Sequence, residues 1–362
     1  MQTTQSPAPG VTPPGVTPHE LPRSLGCHLA AVLDRPGARV EAWQQFTVGT
    51  ARATYGFDLV TPDGRREELV LRLDPPDPDG SIVPSDMPGE YAWYRGVHAA
   101  GGVPVPEPLL CESDAGVLGA PFMVMRRLAG HSDWESVHGP EYDGVREELL
   151  VSAFAVLGRI NALDPAQVAP FPARATAPTA DRAAPAAVDH WERMLDEADL
   201  GPMPVTRTAI RHLRARLPPP AQRIAVCHGD YRLGNFLYRP DGVVGVLDWE
   251  MAHLGDPLED LAWTLLPNWG RRDESLVWHA LHDRDAAFAA WERASGLTVD
   301  HDALRWWVLL NHVKATALWV RGAAALARRH TGDVRYAYIN WFLTPHQEQW
   351  MLQALDTMEA AR

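Results

Sequence analysis

Alternating hydrophobic and polar positions run through the early part of the chain. Residues 54–60 alternate, residues 62–64 read Pro-Asp-Gly, and residues 68–73 alternate again. Period-two alternation on both sides of a turn sequence predicts a β-hairpin, and we assign it to a small antiparallel sheet. A helix is predicted around residues 90–94, ended by the glycine pair that begins at Gly101.

From about residue 127 to the end, the pattern becomes mainly helical. Helices are predicted at 146–163, 188–196, 258–266 and 286–294, with two long segments from residue 302 onward. Residues 165–187 are rich in Pro and Ala and predict an exposed connection. One hairpin interrupts this region, with strands over 236–239 and 243–248. A small sheet followed by a helical region predicts the α+β class.

Composition is typical of a soluble enzyme. A chain of 362 residues can build two lobes with separate cores around a cleft. The net charge of −13 argues against a nucleic-acid partner, which requires a basic surface. Three scattered cysteines predict neither disulfides nor a cysteine metal site, and no segment predicts export or membrane insertion, so we expect a cytoplasmic protein. The repeated Pro-Gly-Val-Thr-Pro of residues 1–19 predicts a disordered tail. The oligomeric state is left open.

Three side chains around the second hairpin point to phosphoryl transfer. Asp230 follows His228 and Gly229, Asn235 lies five residues further on, and Asp248 ends the hairpin. Phosphoryl transfer needs a carboxylate to hold the acceptor hydroxyl and oxygen ligands to hold magnesium. Protein kinases have the same Asp-to-Asn interval in their catalytic loop. We therefore predict Asp230 as the catalytic residue and Asn235 and Asp248 as metal ligands.

The segment from His228 to Trp263 resembles a known family. It contains the runs Leu247-Asp248-Trp249-Glu250, Leu254-Gly255-Asp256-Pro257 and Glu259-Asp260-Leu261-Ala262. These runs resemble the aminoglycoside-phosphotransferase-like family of small-molecule kinases, and look closest to the branch with the kinase-like domain found beside acyl-CoA dehydrogenases. The resemblance implies a two-lobed protein-kinase-like fold, with a β-rich nucleotide-binding lobe over 20–126 and a helical lobe over 127–362. It also implies ATP, magnesium and a small-molecule hydroxyl acceptor.

Nucleotide binding is expected in the first lobe. A kinase cleft covers the phosphates with a glycine-bearing turn, contacts them with a strand cation and steadies that cation with a helix carboxylate. We assign these roles to Gly49 and Thr50, to Arg72 and to Glu90. The turn departs from the family pattern of two glycines and a serine, and Arg72 replaces the lysine of protein kinases, as in the acyl-CoA-associated branch. A strand over 121–125 leads to the predicted adenine hinge, Met125, Arg126, Arg127 and Leu128.

Other conspicuous residues are interpreted as structural. His228 is expected to support the loop, and Asp256 and Asp260 to cap the following helix or anchor the loop. Eleven of the fourteen tryptophans lie at or after Trp191, and large aromatic residues at helical spacing are typical of a core.

The acceptor is not determined by these residues. A hydroxyacyl-CoA, an antibiotic (aminoglycoside or macrolide) and a sugar are all compatible with them, and a regulatory protein that only binds nucleotide is a further alternative. Residues 301–340 contain six cationic and two acidic side chains, in contrast to the acidic chain as a whole. Arg321 and Arg328 are seven residues apart and so share a helix face. We predict that they bind an anionic acceptor.

Overall fold

The computed structural model describes residues 20–46, 52–75, 77–269, 278 and 280–360. The predicted tail over 1–19, together with Gly49 and Thr50, lies outside the described residues. The predicted α+β class and two-lobed fold are confirmed, because a small antiparallel sheet precedes a mainly helical lobe. Within the described ranges, no helix combines the length and the apolarity that crossing a bilayer would require.

The first lobe is built on one antiparallel sheet. Its described elements are α1 (Leu21–Val32), β1 (Arg39–Phe46), β2 (Ala53–Val60), β3 (Arg66–Leu73), α2 (Met87–Ala100), β4 (Pro108–Glu112), α3 (Ala115–Leu118) and β5 (Phe122–Arg126). The strand order is β1-β2-β3-β5-β4. Alternation along β3 buries Leu69, Leu71 and Leu73 in the core shared with α1. Side chains alternate across a strand, so Arg72 lies on the opposite face, toward the cleft.

Helix α2 brings a carboxylate to the same cleft. The Asp86 side chain caps the helix by accepting a hydrogen bond from the Gly89 N–H, and Gly101 ends it with a φ of 70°. Glu90 lies in the first turn and is 2 % exposed. A glutamate in a first turn is favoured by the helix dipole, but burial of this kind requires charged partners.

The second lobe is mainly helical. Its described elements are α4 (Arg146–Ala162), α5 (Pro165–Val168), α6 (Phe171–Ala175), α7 (Ala183–Ala198), α8 (Pro204–Ala215), β6 (Ala225–Cys227), β7 (Phe236–Arg239), β8 (Gly242–Val246), β9 (His253–Gly255), α9 (Leu258–Thr264), α10 (Arg284–Ser295), α11 (His301–Ala327) and α12 (Arg335–Ala360). Strand β6 pairs with β9, and β7 with β8. Helix α11 is buried on nearly every side because α7, α8, α9 and α12 surround it.

The exposed connection predicted over residues 165–187 is wrong in part. The segment is largely exposed or half-buried, but it forms α5, α6 and the start of α7. Asp164 caps α5, and Pro165 and Pro172 occupy first turns, where a missing N–H costs nothing. Val168 is buried against α2, where a Cβ added at Gly96 would lie 2.1 Å from the Val168 carbonyl oxygen. A high proline content therefore does not exclude short helices when the prolines lie in their first turns. Helices α1 and α8 were also missed.

Candidate active site

The loop after β6 is fixed by its backbone. The Asp260 carboxylate accepts hydrogen bonds from the N–H groups of His228 at 2.7 Å and Gly229 at 2.8 Å. The His228 ring bonds the carbonyl of Leu247 at 2.8 Å. Gly229 has a φ of 83°, and a Cβ there would lie 2.3 Å from the carbonyl oxygen of Met251. The predicted anchoring by Asp260 is confirmed, and a glycine is required at position 229.

Asp230 lies at the end of this anchored loop, with its side chain 15 % exposed. Its Oδ1 accepts hydrogen bonds from Trp263 Nε1 at 2.7 Å and from Arg232 Nε at 3.1 Å. Asn235 Nδ2 donates to Oδ2 at 2.5 Å and to the Asp230 carbonyl at 2.9 Å. The structure thus brings the predicted catalytic residue and one predicted metal ligand into direct contact. Arg232, which also stacks 4.9 Å over the Trp269 ring, was not predicted, although its place two residues after Asp230 was a usable signal.

The β7–β8 hairpin returns the chain to Asn235. The N–H of Leu247 donates to the Asn235 carbonyl at 2.7 Å, and the next residue is Asp248. Asp248 has left-handed backbone angles, with φ 65° and ψ 62°, and its N–H donates to the Tyr94 hydroxyl at 2.8 Å. Its Oδ1 accepts a hydrogen bond from Arg72 Nη2 at 2.6 Å. Asp248 is therefore held between α2, β3 and the 228–235 loop.

Two arginines share the Glu90 carboxylate. Arg72 bonds one Glu90 oxygen and Arg52 bonds the other. Arg52 also contacts Asp74 at 2.7 Å and Glu250 at 2.9 Å, and its side chain is 2 % exposed. The predicted pair of Arg72 and Glu90 is present in the structure. Arg52 was not predicted, because its type and position in the predicted turn gave no sign that it would be buried.

Burial and charge set the protonation of this cluster. Burial alone would raise the pKa of Asp248, but the Arg72 guanidinium outweighs it and holds that pKa below its usual value. Burial and the nearby Asp248 carboxylate raise the pKa of Glu250 to about 8, with Arg52 opposing them. Asp248 is therefore anionic at neutral pH, whereas Glu250 is mostly protonated.

The donor atoms beside Asp230 suit magnesium. Asn235 turns its amide N–H toward Asp230, which leaves its amide oxygen as a possible ligand. Asp248 supplies an ionised carboxylate. Magnesium prefers oxygen ligands, and in nucleotide enzymes it is held by one or two side chains together with phosphates. These two residues fit that description.

The predicted hinge residues are Met125, Arg126, Arg127 and Leu128. Met125 is buried in the main core, and the Arg126 side chain pairs with Glu107 at the surface. The backbone N–H of Arg126 donates to the Glu107 carbonyl and that of Arg127 to the Glu68 carbonyl. Over the described residues, the N–H of Leu128 donates to no carbonyl.

A buried lysine lies directly behind the 228–235 loop. Lys314 is fully buried in α11, and its Nζ donates to the Gly229 carbonyl at 2.6 Å and to Glu259 at 2.9 Å. His253 bonds the other Glu259 oxygen at 3.2 Å. Burial would raise the pKa of Glu259, but Lys314 and His253 hold it well below its usual value. The sequence signal for this site, a lone lysine within an apolar helix, was not used.

Arg321 and Arg328 line one cavity of about 190 Å³. Arg321 lies 3.5 Å from Asp79, and Arg328 donates to the carbonyls of Glu197 and Ala198 at the C-terminal end of α7. The cavity therefore combines both charge signs. Among the described residues, the polar contacts of the two arginines are with side chains and carbonyls outside the 228–235 loop.

Comparison with known proteins relates this chain to phosphotransferases in sequence and in fold. A model of the phosphotransferase enzyme family matches residues 44–332. Mouse acyl-CoA dehydrogenase family member 10 is 32 % identical over 234 residues, which are 61 % of this chain and 20 % of that protein. The chain spans only 20–30 % of the length of the curated relatives it matches, including the chicken and orangutan family members 11.

Solved structures share the fold at low sequence identity. A Ralstonia eutropha protein, described provisionally as an aminoglycoside phosphotransferase, aligns with TM-score 0.71 and 18 % identity, covering 92 % of this chain and 98 % of that one. An aminoglycoside phosphotransferase in complex with ADP and hygromycin B aligns with TM-score 0.52 and 17 % identity, covering 85 % and 99 %.

Lys314→Met should lower the free energy of unfolding by about 3–5 kcal/mol at neutral pH, because it leaves the Glu259 carboxylate buried without its cation. The pKa of Glu259 is depressed in the folded state, so the stabilisation is present above the unfolded-state carboxyl pKa and is lost as pH falls. Urea unfolding at neutral and acidic pH measures both effects.

Arg305→Met is the matched control. It removes an exposed cation that pairs with Asp302 on the same helix, and should cost less than about 1 kcal/mol. The double variant Lys314→Met with Glu259→Gln should lose much less than the sum of the single variants, since neither charge remains. Additive losses would contradict the pairing.

Proposed function

The chain belongs to the phosphotransferase enzyme family, and from this premise we propose that it transfers the γ-phosphate of ATP to a hydroxyl group of a small molecule. The observation that carries the proposal is that the predicted catalytic residue and the predicted phosphate-binding residues lie next to each other in the cleft. Asp230 and Asn235 contact each other on the 228–235 loop, and the adjacent hairpin holds Asp248 against Arg72, which also bonds Glu90. The proposed lobes, 20–126 for the nucleotide and 127–362 for the acceptor, meet at this point.

Asp230 receives the acceptor. Its carboxylate accepts a hydrogen bond from the acceptor hydroxyl and takes the proton as that oxygen bonds to the γ-phosphorus, while the bond from this phosphorus to the oxygen of ADP breaks and ADP leaves. The loose transition state of phosphoryl transfer demands little of the nucleophile, so orientation is the main contribution of Asp230. Arg232, beside Asp230, adds positive charge where the phosphoryl group passes.

Asn235 and Asp248 would hold magnesium, which neutralises phosphate charge when bound. Arg72 contacts phosphate oxygens while Glu90 keeps the guanidinium in place. Gly49 and Thr50 remain our prediction for the phosphate cover. In the hinge of Met125, Arg126, Arg127 and Leu128, the backbone of Leu128 is the group we assign to the base.

Two acceptor classes have support. The similarity to acyl-CoA dehydrogenase family member 10 favours a hydroxyacyl-CoA, because that name places a related segment in a protein named for acyl-CoA chemistry. The structural likeness to a hygromycin B complex and to a macrolide 2′-phosphotransferase from Brachybacterium faecium favours an antibiotic or sugar. We propose a hydroxyacyl-CoA as acceptor, since the chain is 32 % identical to acyl-CoA dehydrogenase family member 10 and 17 % identical to the aminoglycoside phosphotransferase. The catalytic set argues against a protein that only binds nucleotide.

An ATP-consumption screen across hydroxyacyl-CoAs, aminoglycosides, macrolides and sugars tests the proposal. We expect turnover with the hydroxyacyl-CoAs and confirmation by mass of a product heavier by one phosphate group. If only an antibiotic or a sugar is phosphorylated, that class is the acceptor and the hydroxyacyl-CoA is rejected. If no class is phosphorylated, the proposed kinase activity is rejected.

Asp230→Asn should lower kcat by roughly 10²–10⁴-fold while leaving ATP affinity nearly unchanged, because the carboxylate meets the acceptor and not the nucleotide. Steady-state kinetics and calorimetric titration with ATP measure the two effects. Asp241→Asn, on the exposed turn of the same hairpin, is the control and should behave as wild type. A folded Asp230→Asn enzyme with normal kcat would remove Asp230 from the mechanism.

Asp248→Asn should raise the magnesium concentration needed for half-maximal ATP binding and turnover, because an amide oxygen replaces a charged ligand. Asparagine tolerates the left-handed backbone at this position, so the fold is preserved. Magnesium titrations of both proteins give the comparison. An unchanged magnesium dependence would refute the assignment.

Arg321→Glu should raise KM for an anionic acceptor far more than KM for ATP, because it reverses a charge in the proposed acceptor cavity. Arg329→Glu makes the same charge change just beyond the same helix, outside the cavity lining, and serves as control. Arg328→Glu should have a similar effect on KM and also destabilise the protein, since Arg328 bonds the end of α7. Equal effects on both KM values, or efficient turnover of a polycationic aminoglycoside, would rule out the assignment.

A further inference from the structure

Trp263 contacts the proposed catalytic carboxylate from inside the second lobe. It lies in α9, is 2 % exposed, and places its Nε1 2.7 Å from Asp230 Oδ1. The indole N–H can only donate, so the carboxylate must accept. A hydrogen bond to an ionised carboxylate is among the stronger ones in proteins.

Trp263 differs from the other two donors to Asp230. Arg232 is 29 % exposed and carries a charge that a phosphate would attract. Asn235 has an amide oxygen suited to a metal ion. Both side chains have a second task in the proposed reaction. The indole of Trp263 has no chemistry of its own to supply, so its contact with Asp230 can persist throughout the reaction.

The indole is itself held on several sides. Trp269 Nε1 donates to the Trp263 carbonyl at 2.9 Å, and the two rings are 5.4 Å apart. Lys314 Nζ lies 4.7 Å over the Trp263 ring. The same ammonium bonds the carbonyl of Gly229, the residue before Asp230. The ring and the loop are therefore fixed to one buried cation, whose field also strengthens the indole N–H as a donor.

We infer that Trp263 is a positioning residue for phosphoryl transfer. It fixes the orientation of the Asp230 carboxylate by binding Oδ1, so that Oδ2, which also accepts a hydrogen bond from Asn235, has its remaining lone pair for the acceptor hydroxyl. The cation behind its ring couples this orientation to α11. The inference rests on the proposed function, because orienting the carboxylate matters only if Asp230 binds the acceptor hydroxyl.

Trp263→Phe tests the inference, because it keeps an aromatic ring and removes the N–H. The probes are Mg-ATP with the best acceptor of the screen, and Mg-ATP with water as acceptor. We expect kcat to fall roughly 10- to 100-fold, the scale expected for a misplaced catalytic group, with KM for ATP unchanged. Trp307→Phe is the control, since it removes a buried indole bond to another carboxylate, that of Asp256, at 3.2 Å. It should retain wild-type kcat.

A spectroscopic measurement covers the case in which Trp263→Phe does not fold. In an assigned ¹H–¹⁵N spectrum, Asp230→Asn should move the indole proton resonance of Trp263 upfield, because a carboxamide is a weaker acceptor than a carboxylate. The resonance of Trp307 should stay in place. An unmoved Trp263 resonance would overturn the inference.

The results separate this inference from the proposed function. If wild type transfers phosphate, Asp230→Asn does not, and folded Trp263→Phe retains normal kcat, the inference alone is rejected. If Asp230→Asn is as active as wild type, the role of Asp230 and the inference both fail.

Discussion

The bonds of Arg72 to Glu90 and Asp248 join the two lobes of this protein. One guanidinium spans a helix, a strand and the catalytic hairpin at the back of the cleft. An arginine can do this because it has five N–H donors in a planar fork, so two carboxylates leave further donors for phosphate. Much of the site's geometry follows from this placement, including the position of Asp248.

Charge balance in the cleft depends on a second arginine. Arg52 places another positive charge against Glu90 and contacts Asp74 and Glu250. Without it, four carboxyl groups would surround a single cation, a costly arrangement away from water. The raised pKa of Glu250 reduces the remaining excess of negative charge, because its protonated form carries none.

Sequence patterns predicted the parts of this molecule that local spacing controls. The fold class and the β-strand alternation followed from periodicity, and the loop around Asp230 from intervals between residue types. The partners of those residues could not be predicted in the same way, because they are distant along the chain. Trp263 lies 33 residues after Asp230, and Arg52 lies 198 residues before Glu250. The role of such residues depends on their burial, and burial cannot be read from a single sequence.

The close packing of Gly96 on Val168 has a consequence for motion. The space between α2 and the second lobe is too small for one added Cβ, and the Gly102 carbonyl just beyond α2 also accepts a hydrogen bond from Arg159. Helix α2 is therefore packed tightly against the second lobe, although it lies in sequence within the first and also contacts β4. In many protein kinases, the corresponding helix swings outward and breaks the lysine–glutamate pair. Here the same movement would have to break the packed contact between Gly96 and Val168. We expect cleft opening to occur by rotation of the sheet over a stationary α2, so that Glu90 acts as a fixed pivot.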